Sequence, residues 1–97
     1  LDVGVTPDKT ALASNYLEKY FPEKDKITAL SNLDASFLED VYPGLKFQLG
    51  DACNLPFESN SQDVVFSSAV IEHVGNLDQQ RKMLAECYRV ARRGVFI

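Results

Sequence analysis

Short apolar runs alternate along the chain with longer amphipathic segments. The apolar runs predict five β-strands, and the segments between them predict three helices. Such alternation favours a parallel sheet with right-handed crossovers and helices on both faces. We therefore expect an α/β fold, a Rossmann-like parallel sheet in three α/β/α layers. The predicted strands cover residues 1–5, 27–30, 45–49, 63–68 and 94–97, and the predicted helices cover residues 13–21, 34–42 and 77–93.

Local signals add detail to these elements. Capping-box spacing occurs in the first helix at Asn15 and Glu18, and in the second at Ser36 and Glu39. The fourth strand is apolar enough to predict burial on both faces. Gly94 is expected to end the third helix, where two arginines would complement the dipole at the helix C-terminus. These arginines are Arg92 and Arg93. The predicted apolar side of the same helix consists of Leu77, Leu84, Cys87, Tyr88 and Ala91.

Composition narrows the class of protein. The 97 residues are 45% hydrophobic and 25% charged, which is typical of one globular domain. The formal net charge of −4 argues against a broad basic surface for nucleic acid. No apolar run approaches the roughly 20 residues that span a bilayer, and no signal segment opens the chain. Cys53 and Cys87 form no C-x-x-C motif, so we expect a reduced, cytoplasmic location.

Both ends of the chain fall on predicted strands. Domains seldom begin and end on buried strands, so the sequence is expected to be a piece of a longer protein. A fifth strand at the edge of the sheet would leave unpaired backbone groups exposed. We therefore expect this edge to pair with another chain and form a homodimer.

The carboxyl ends of the strands carry the candidate chemistry, because open parallel sheets bind ligands there. Gly4 suits either a close approach by a ligand or a tight turn. Asp51 could accept a hydrogen bond from a ligand amino group, although a turn-capping role is the more common one. His73 follows the fourth strand beside Glu72 and is a candidate base, but a single histidine is more often structural. With one histidine in the sequence, no His-based metal site is expected.

Four segments together resemble a class I S-adenosylmethionine-dependent methyltransferase of the small-molecule type 11 group. L-D-V-G at residues 1–4 resembles the first cofactor motif of that group, and G-D-A-C-N-L-P-F at residues 50–57 resembles its G-D-A-x-x-L-P-F segment. Residues 61–74 resemble its fourth strand and the E-H-V that follows. Residues 86–97 resemble its last helix and fifth strand, usually written E-x-x-R-V-L-K-P-G-G.

The resemblance implies transfer of a methyl group from S-adenosylmethionine to a small-molecule acceptor. It implies the strand order 3-2-1-4-5 and makes residues 1–97 the cofactor-binding half of the domain, without strands six and seven or N-terminal helices. His73 would lie near the transfer site as the candidate base. The implied cofactor-binding residues are Asp2 and Gly4 along the methionine part, Ser31 at the ribose, Asp51 and Ala52 at the adenine, Ser68 and Ala69 along the cofactor edge, and Glu72 near the transfer site.

Two departures from the family pattern leave other functions open. Thr6 stands where the family usually has a second glycine, and Pro7 then removes a backbone donor. Ser31 stands where the family usually has an acidic residue that accepts both ribose hydroxyls. The alternative hypothesis is therefore a methyltransferase-like binding or scaffold module without catalysis. An NAD-binding Rossmann enzyme is a third hypothesis, but its G-x-G-x-x-G fingerprint is absent from the sequence.

Overall fold

The structure, a computed structural model, describes residues 1–9 and 14–97. Its five strands and three α-helices follow the predicted alternation, with short 3₁₀ turns before the second strand and before the third helix. The strands are β1 (Asp2–Val3), β2 (Thr28–Ser31), β3 (Lys46–Leu49), β4 (Gln62–Phe66) and β5 (Ala91–Phe96). The helices are α1 (Tyr16–Tyr20), α2 (Leu38–Val41) and α3 (Leu77–Val90), and the 3₁₀ turns are Lys24–Lys26 and Ile71–His73.

The strands form one parallel sheet in the order β3-β2-β1-β4-β5. Val3 of β1 pairs with Leu30 of β2, and Val65 of β4 pairs with Val95 of β5. The chain moves outward from β1 to β3 and then returns to the other side of β1. The expected Rossmann-like α/β fold and strand order are therefore confirmed.

Helix α3 covers one face of the sheet and builds the larger core. Met83, Cys87 and Val90 follow one another at helical spacing and are fully buried. They pack with Val3 and Val65 from the two central strands. Ser67, just after β4, is also buried, and its hydroxyl donates to the carbonyl oxygen of Val3 at 2.9 Å. Each buried group on this face is thus either apolar or hydrogen-bonded in the way that a stable core requires.

Helices α1 and α2 lie over the opposite face. Alternate residues of β2 point to the two faces, so Ala29 packs beneath α2 while Leu30 joins the α3 core. Leu38 of α2 completes this second cluster with Val5 and Ile27. Three layers result, with the sheet in the middle, as the sequence predicts.

The predicted boundaries of α3 are wrong at its C-terminus. The helix ends at Val90, because Ala91 already has the extended backbone of a strand (φ −77°, ψ 135°). Gly94 therefore lies inside β5 and neither ends the helix nor opens the strand. Arg92 cannot complement the helix dipole from within β5, and its guanidinium instead pairs with Asp63 of β4 at 2.7 Å. Arg93 is likewise part of the strand.

Two predicted burial patterns also need correction. In α3 the buried row is centred on Cys87, so Leu77 and Tyr88 project away from the sheet and are exposed. In β4 only Val65 is buried, whereas Val64 on the opposite face is exposed. The described helices of that face pack on the side of the sheet formed by β1, β2 and β3 and leave this part of β4 uncovered.

The predicted caps of the first two helices are wrong. Asn15 has a left-handed backbone (φ 53°) and makes no capping bond to α1. Ser36 makes none to α2, which begins only after Phe37, because the backbone N–H of Ser36 is held by Asp34 in a turn. Glu39 instead accepts from the backbone N–H of Phe47 at 3.1 Å. The predicted start of the first helix, at residue 13, lies outside the described residues.

Within the described residues, no helix is long and apolar enough to cross a membrane. Strand β5 lies at one edge of the described sheet and β3 at the other. The homodimer and the cytoplasmic location stay predictions.

Candidate functional site

The candidate site centres on Gly4, where β1 ends. Gly4 has a positive φ of 98°, a conformation that side chains with a Cβ rarely adopt. Its N–H and the N–H of Val5 both donate to the carbonyl oxygen of Leu30, at 2.7 and 3.1 Å. This shared acceptor bends the chain sharply away from the sheet. The turn opens a cleft on each side of Gly4.

The first of these, the narrow cleft, lies toward β2 and β3 and has a volume of about 210 Å³. It brings together five predicted site residues that are far apart in the sequence, because parallel strands end at the same edge of the sheet. These residues are Gly4, Ser31, Asp51, Ala52 and His73.

The second, the wide cleft, lies toward β4 and has a volume of about 480 Å³. Its lining includes four predicted site residues, namely Asp2, Gly4, Ser68 and Ala69. Ala69 has a left-handed backbone (φ 57°), which turns the chain after β4 back across Gly4. Since Gly4 lines both clefts, they adjoin at its backbone.

Val70 lies against Gly4 between the clefts. A Cβ placed on Gly4 would collide with a Val70 methyl carbon, so the valine side chain fills the space beside the glycine. This contact has no signal in the sequence, where Val70 is one apolar residue in a loop. A ligand that occupies both clefts must pass or displace this side chain.

Ser31 is the buried polar group at the end of β2. Its Oγ accepts a hydrogen bond from the N–H of Leu33 at 3.1 Å and keeps its own proton free to donate. Asp34 lies three residues later, fully exposed and outside the narrow-cleft lining. Hydrogen bonds from Ser36 lower the pKa of the Asp34 carboxyl. The structure therefore places Ser31 at the cleft, with no acidic residue in its place.

Asp51 begins a tight turn after β3. One carboxylate oxygen, Oδ1, accepts from the N–H of Cys53 at 2.9 Å. The side chain is exposed and lines the narrow cleft, so a ligand there can reach its carboxylate. Asp51 thus combines the turn role with the geometry of a ligand acceptor.

Glu72 and His73 both lie in the exposed 3₁₀ turn after β4. His73 Nε2 lies 3.9 Å from Glu72 Oε1. Only the histidine is part of the narrow-cleft lining. The catalytic role of His73 and the binding role of Glu72 stay predictions.

An ion pair on α3 holds the loop that follows Asp51. Arg89 donates to the carbonyl oxygens of Leu55 and Phe57 at 3.1 and 2.9 Å, and Glu86 accepts from the N–H of Leu55 at 2.8 Å. Glu86 and Arg89 also bond to each other, and this lowers the pKa of the Glu86 carboxyl. The two residues are part of the E-x-x-R pattern, so the signal was present, but its link to the L-P-F loop was missed.

Asn15 holds the loop on the other side of Gly4. Its side-chain oxygen accepts from the N–H of Thr6, and its amide nitrogen donates to the carbonyl oxygen of Thr6, both at 2.8 Å. This reciprocal pair fixes the Thr6 backbone where the family usually has glycine. The capping-box spacing predicts a helix cap at Asn15 and carries no signal for this role.

Glu18 of α1 has a role in the site that the sequence does not predict. It is fully buried, and neither carboxyl oxygen has a hydrogen-bond donor among the described residues. Its carboxyl contacts that of Asp2, which is 6% exposed. Burial, and then the contact with Glu18, raises the pKa of Asp2 to about 9. Both causes favour the protonated form of Asp2.

The part of the chain that the structure describes contains no group of three or more His, Cys, Asp or Glu residues that could hold a metal ion. The site as described offers hydrogen-bonding groups and carboxyls at the edge of a parallel sheet. Such a site suits an organic ligand with hydroxyl and amino groups.

Comparison with known proteins gives a consistent result. A family model described as a methyltransferase domain matches residues 1–97. The crystal structure of the YcgJ protein from Bacillus subtilis is similar at 23% identity with a TM-score of 0.65. The similarity covers 94% of this chain and 38% of the YcgJ chain, so this chain spans well under half of that protein. No curated protein matches the sequence. From the family match over its whole length, we conclude that the chain belongs to the family of methyltransferase domains.

Proposed function

We propose that this chain binds S-adenosylmethionine and takes part in methyl transfer to a small-molecule acceptor. The observation that carries the proposal is the pair of clefts that adjoin at Gly4, where the carboxyl edge of β1, β2, β3 and β4 gathers eight predicted site residues. Family membership supports the methyl-transfer chemistry, and the position of the clefts supports the binding site.

The polar groups of the two clefts match the parts of this cofactor in order. Asp51 offers a free carboxylate oxygen for the adenine amino group, with Ala52 beside the ring. Ser31 offers one hydroxyl donor for the ribose. Asp2 at the wide cleft offers a carboxyl for the amino group of the methionine part. The methionine part would lie along Gly4, Ser68 and Ala69.

Neutral Ser31 sets the expected strength of binding. A carboxylate makes two charge-assisted bonds to ribose hydroxyls, whereas serine makes one neutral bond. The difference corresponds to roughly 1–3 kcal/mol, or about 5- to 150-fold in affinity. We therefore propose a cofactor dissociation constant in the micromolar range.

The cofactor supplies an already activated methyl group when it is bound. The residues of the chain then have to align the reactants and exclude water. A base is needed only where the acceptor must lose a proton, and His73 at the narrow cleft is our candidate. In that role, His73→Ala lowers turnover more than it lowers cofactor affinity.

Calorimetric titration of S-adenosylhomocysteine into the intact protein tests the proposal. We expect micromolar binding that weakens by roughly tenfold in Asp51→Ala, because a hydrogen bond to the adenine amino group is lost. The matched control is Asp40→Ala, which removes an exposed carboxylate from α2 and should leave the affinity unchanged. Equal affinities in all three proteins would refute the adenine contact.

A non-catalytic binding module is the second candidate function. Ser31 in place of an acidic residue and the Val70 side chain against Gly4 are the observations that favour it. The same titration separates the two functions. A folded protein that binds no S-adenosylhomocysteine at millimolar concentration would support the module.

A further inference from the structure

The Asp2–Glu18 pair joins β1 to α1 through two acidic side chains. Both belong to buried residues, and their carboxyls are in contact. Two ionised carboxylates in a buried site repel each other strongly, so one proton shared between them is the stable arrangement. A protonated Asp2 then donates to Glu18, which supplies the donor that the Glu18 oxygens otherwise lack among the described residues.

The charged and titratable groups around the pair do not neutralise it. On the sheet side, the amino group of Leu1 interacts electrostatically with Asp2, Glu18 and Asp63. On the helix side, Tyr42 interacts electrostatically with Glu18 and with Tyr20. Burial lowers the pKa of the Leu1 amino group, which weakens it as a counter-charge. Residues 10–13 contain no charged side chain.

The position of Asp2 connects this proton to ligand binding. Asp2 lines the wide cleft together with Gly4 and Ser68, whereas Glu18 lies behind it in the protein interior. A cationic group that enters the cleft therefore meets Asp2 first. Such a cation would stabilise a second negative charge on the pair and thereby lower its pKa, so that the proton can leave.

We propose that Glu18 is a positioning residue that keeps a proton on Asp2 until the cationic amino group of an S-adenosyl ligand enters the wide cleft, and that this proton is then released to solvent. The inference rests on the proposed cofactor site. On release, the O–H bond of Asp2 breaks, its electron pair stays on the carboxylate, and the proton passes to the buffer. No bond of the ligand changes, and the ligand ammonium takes over as the partner of Asp2.

The test is to count the protons released when S-adenosylhomocysteine binds to the intact protein. Titrations at about pH 7 in buffers with different ionisation enthalpies give that number directly. We expect about one proton per ligand bound, and an affinity that rises close to tenfold per pH unit between about pH 6 and 7.5. 5′-Methylthioadenosine, which lacks the amino-acid part, should bind without releasing a proton.

Substitution of Glu18 separates the pair from other ionisable groups. Glu18→Gln removes the repulsion between the two carboxyls and its side-chain amide can donate to Asp2, so ligand binding should release fewer protons than in the natural protein. Glu58→Gln, an exposed change in the loop after β3, should behave like the natural protein. Where Glu18→Gln does not fold, the two ligands keep the test decisive in the natural protein: equal proton release with S-adenosylhomocysteine and 5′-methylthioadenosine would overturn the inference.

The outcomes separate this inference from the proposed function. S-adenosylhomocysteine binding with proton release that Glu18→Gln reduces supports both. Binding without proton release, or with equal release in Glu18→Gln, overturns the role of Glu18 and leaves the cofactor site standing. Absence of binding in the folded protein overturns the cofactor site and this inference with it.

Discussion

The two faces of the sheet are built in different ways. On the α3 face, one helix of 14 residues begins with a capping box and buries an unbroken apolar row. Asn76 accepts from the N–H of Gln79 at 3.0 Å, and the Gln79 side chain accepts in return from the N–H of Asn76 at 3.0 Å. The core beneath the helix is apolar, so burial and local structure favour the same fold.

On the opposite face, α1 has five residues and no side-chain cap. Its fully buried residue is Glu18, and its polar neighbour Asn15 bonds to the Gly4 loop. Beside α1 lies an open groove of about 610 Å³ over β4 and β5. Exposed or half-buried apolar side chains line this groove, and they include Leu17, Phe21, Val64, Phe66 and Phe96.

The two faces of the sheet therefore serve different roles. The α3 face gains its stability from apolar burial, and it also holds the loop after Asp51 through Arg89. The α1 face places carboxyl and amide groups beside the clefts, where an apolar core would stabilise the fold better. Structure that departs from the best packing rules is typical of functional sites.

The largest expected effect comes from truncation of the apolar row on α3. Met83→Ala should lower the free energy of unfolding by about 2–5 kcal/mol, because it leaves a cavity in a fully buried site. Leu17→Ala on α1 should cost less than about 1.5 kcal/mol, because Leu17 is only half-buried beside the open groove. Denaturant unfolding of the two variants measures both values.

Leu77→Ala is the matched control on α3 itself. Leu77 is 59% exposed, so its truncation should change the unfolding free energy by less than about 0.5 kcal/mol. If Leu17→Ala lowered the unfolding free energy as much as Met83→Ala, the α3 face would not contribute more to stability than the α1 face.

The second effect is the dependence of stability on pH, which has opposite signs on the two faces. The pKa of Asp2 is raised from 3.8 to about 9, so its contribution to stability is complete below pH 3.8 and is lost as the pH rises toward 9. Hydrogen bonds from Arg89 lower the pKa of Glu86 from 4.5, so its contribution is present above pH 4.5 and is lost as the pH falls below that value.

Glu18→Gln should therefore reduce the loss of stability as the pH rises toward 9. Its amide can donate to Asp2, and we expect about 1–3 kcal/mol more stability at pH 7 than in the natural protein. Unfolding free energies measured at intervals from about pH 5 to 9 give the slopes. The control Glu23→Gln changes an exposed partner of Lys26 and should keep the natural slope. An unchanged slope in Glu18→Gln would show that Glu18 does not contribute to this pH dependence.

The sequence predicted the fold where periodicity and topology decide it. The alternation of elements was enough for the parallel sheet and its three layers, because crossover connections admit few arrangements. Helix ends were less accurate. Residues 91–93 continue the helical pattern of α3, yet pairing of β5 with β4 ends the helix at Val90. A long-range strand pairing of this kind leaves no local signal.

The candidate site was predictable for residues that follow strands. Ser31, Asp51 and Ala52 line one cleft because the topology alone places their strand ends together. The roles of Asn15 and Glu18 were not predictable, because each depends on which backbone or side chain the fold brings opposite it. Val70 was missed for the same reason: its contact with Gly4 requires the left-handed turn at Ala69.

The smallest expected effect concerns two asparagines that both precede a helix. Asn76→Ala should cost about 1 kcal/mol of stability, because it removes the N-cap of α3. Asn15→Ala removes no cap, since Asn15 makes no capping bond, and instead frees the Thr6 backbone beside Gly4. We expect Asn15→Ala to weaken S-adenosylhomocysteine binding by several-fold, and Asn76→Ala to leave that affinity unchanged. Unfolding and binding measured on both variants would show this crossed pattern. Parallel losses in the two variants would mean that the α1 face serves stability in the same way as the α3 face.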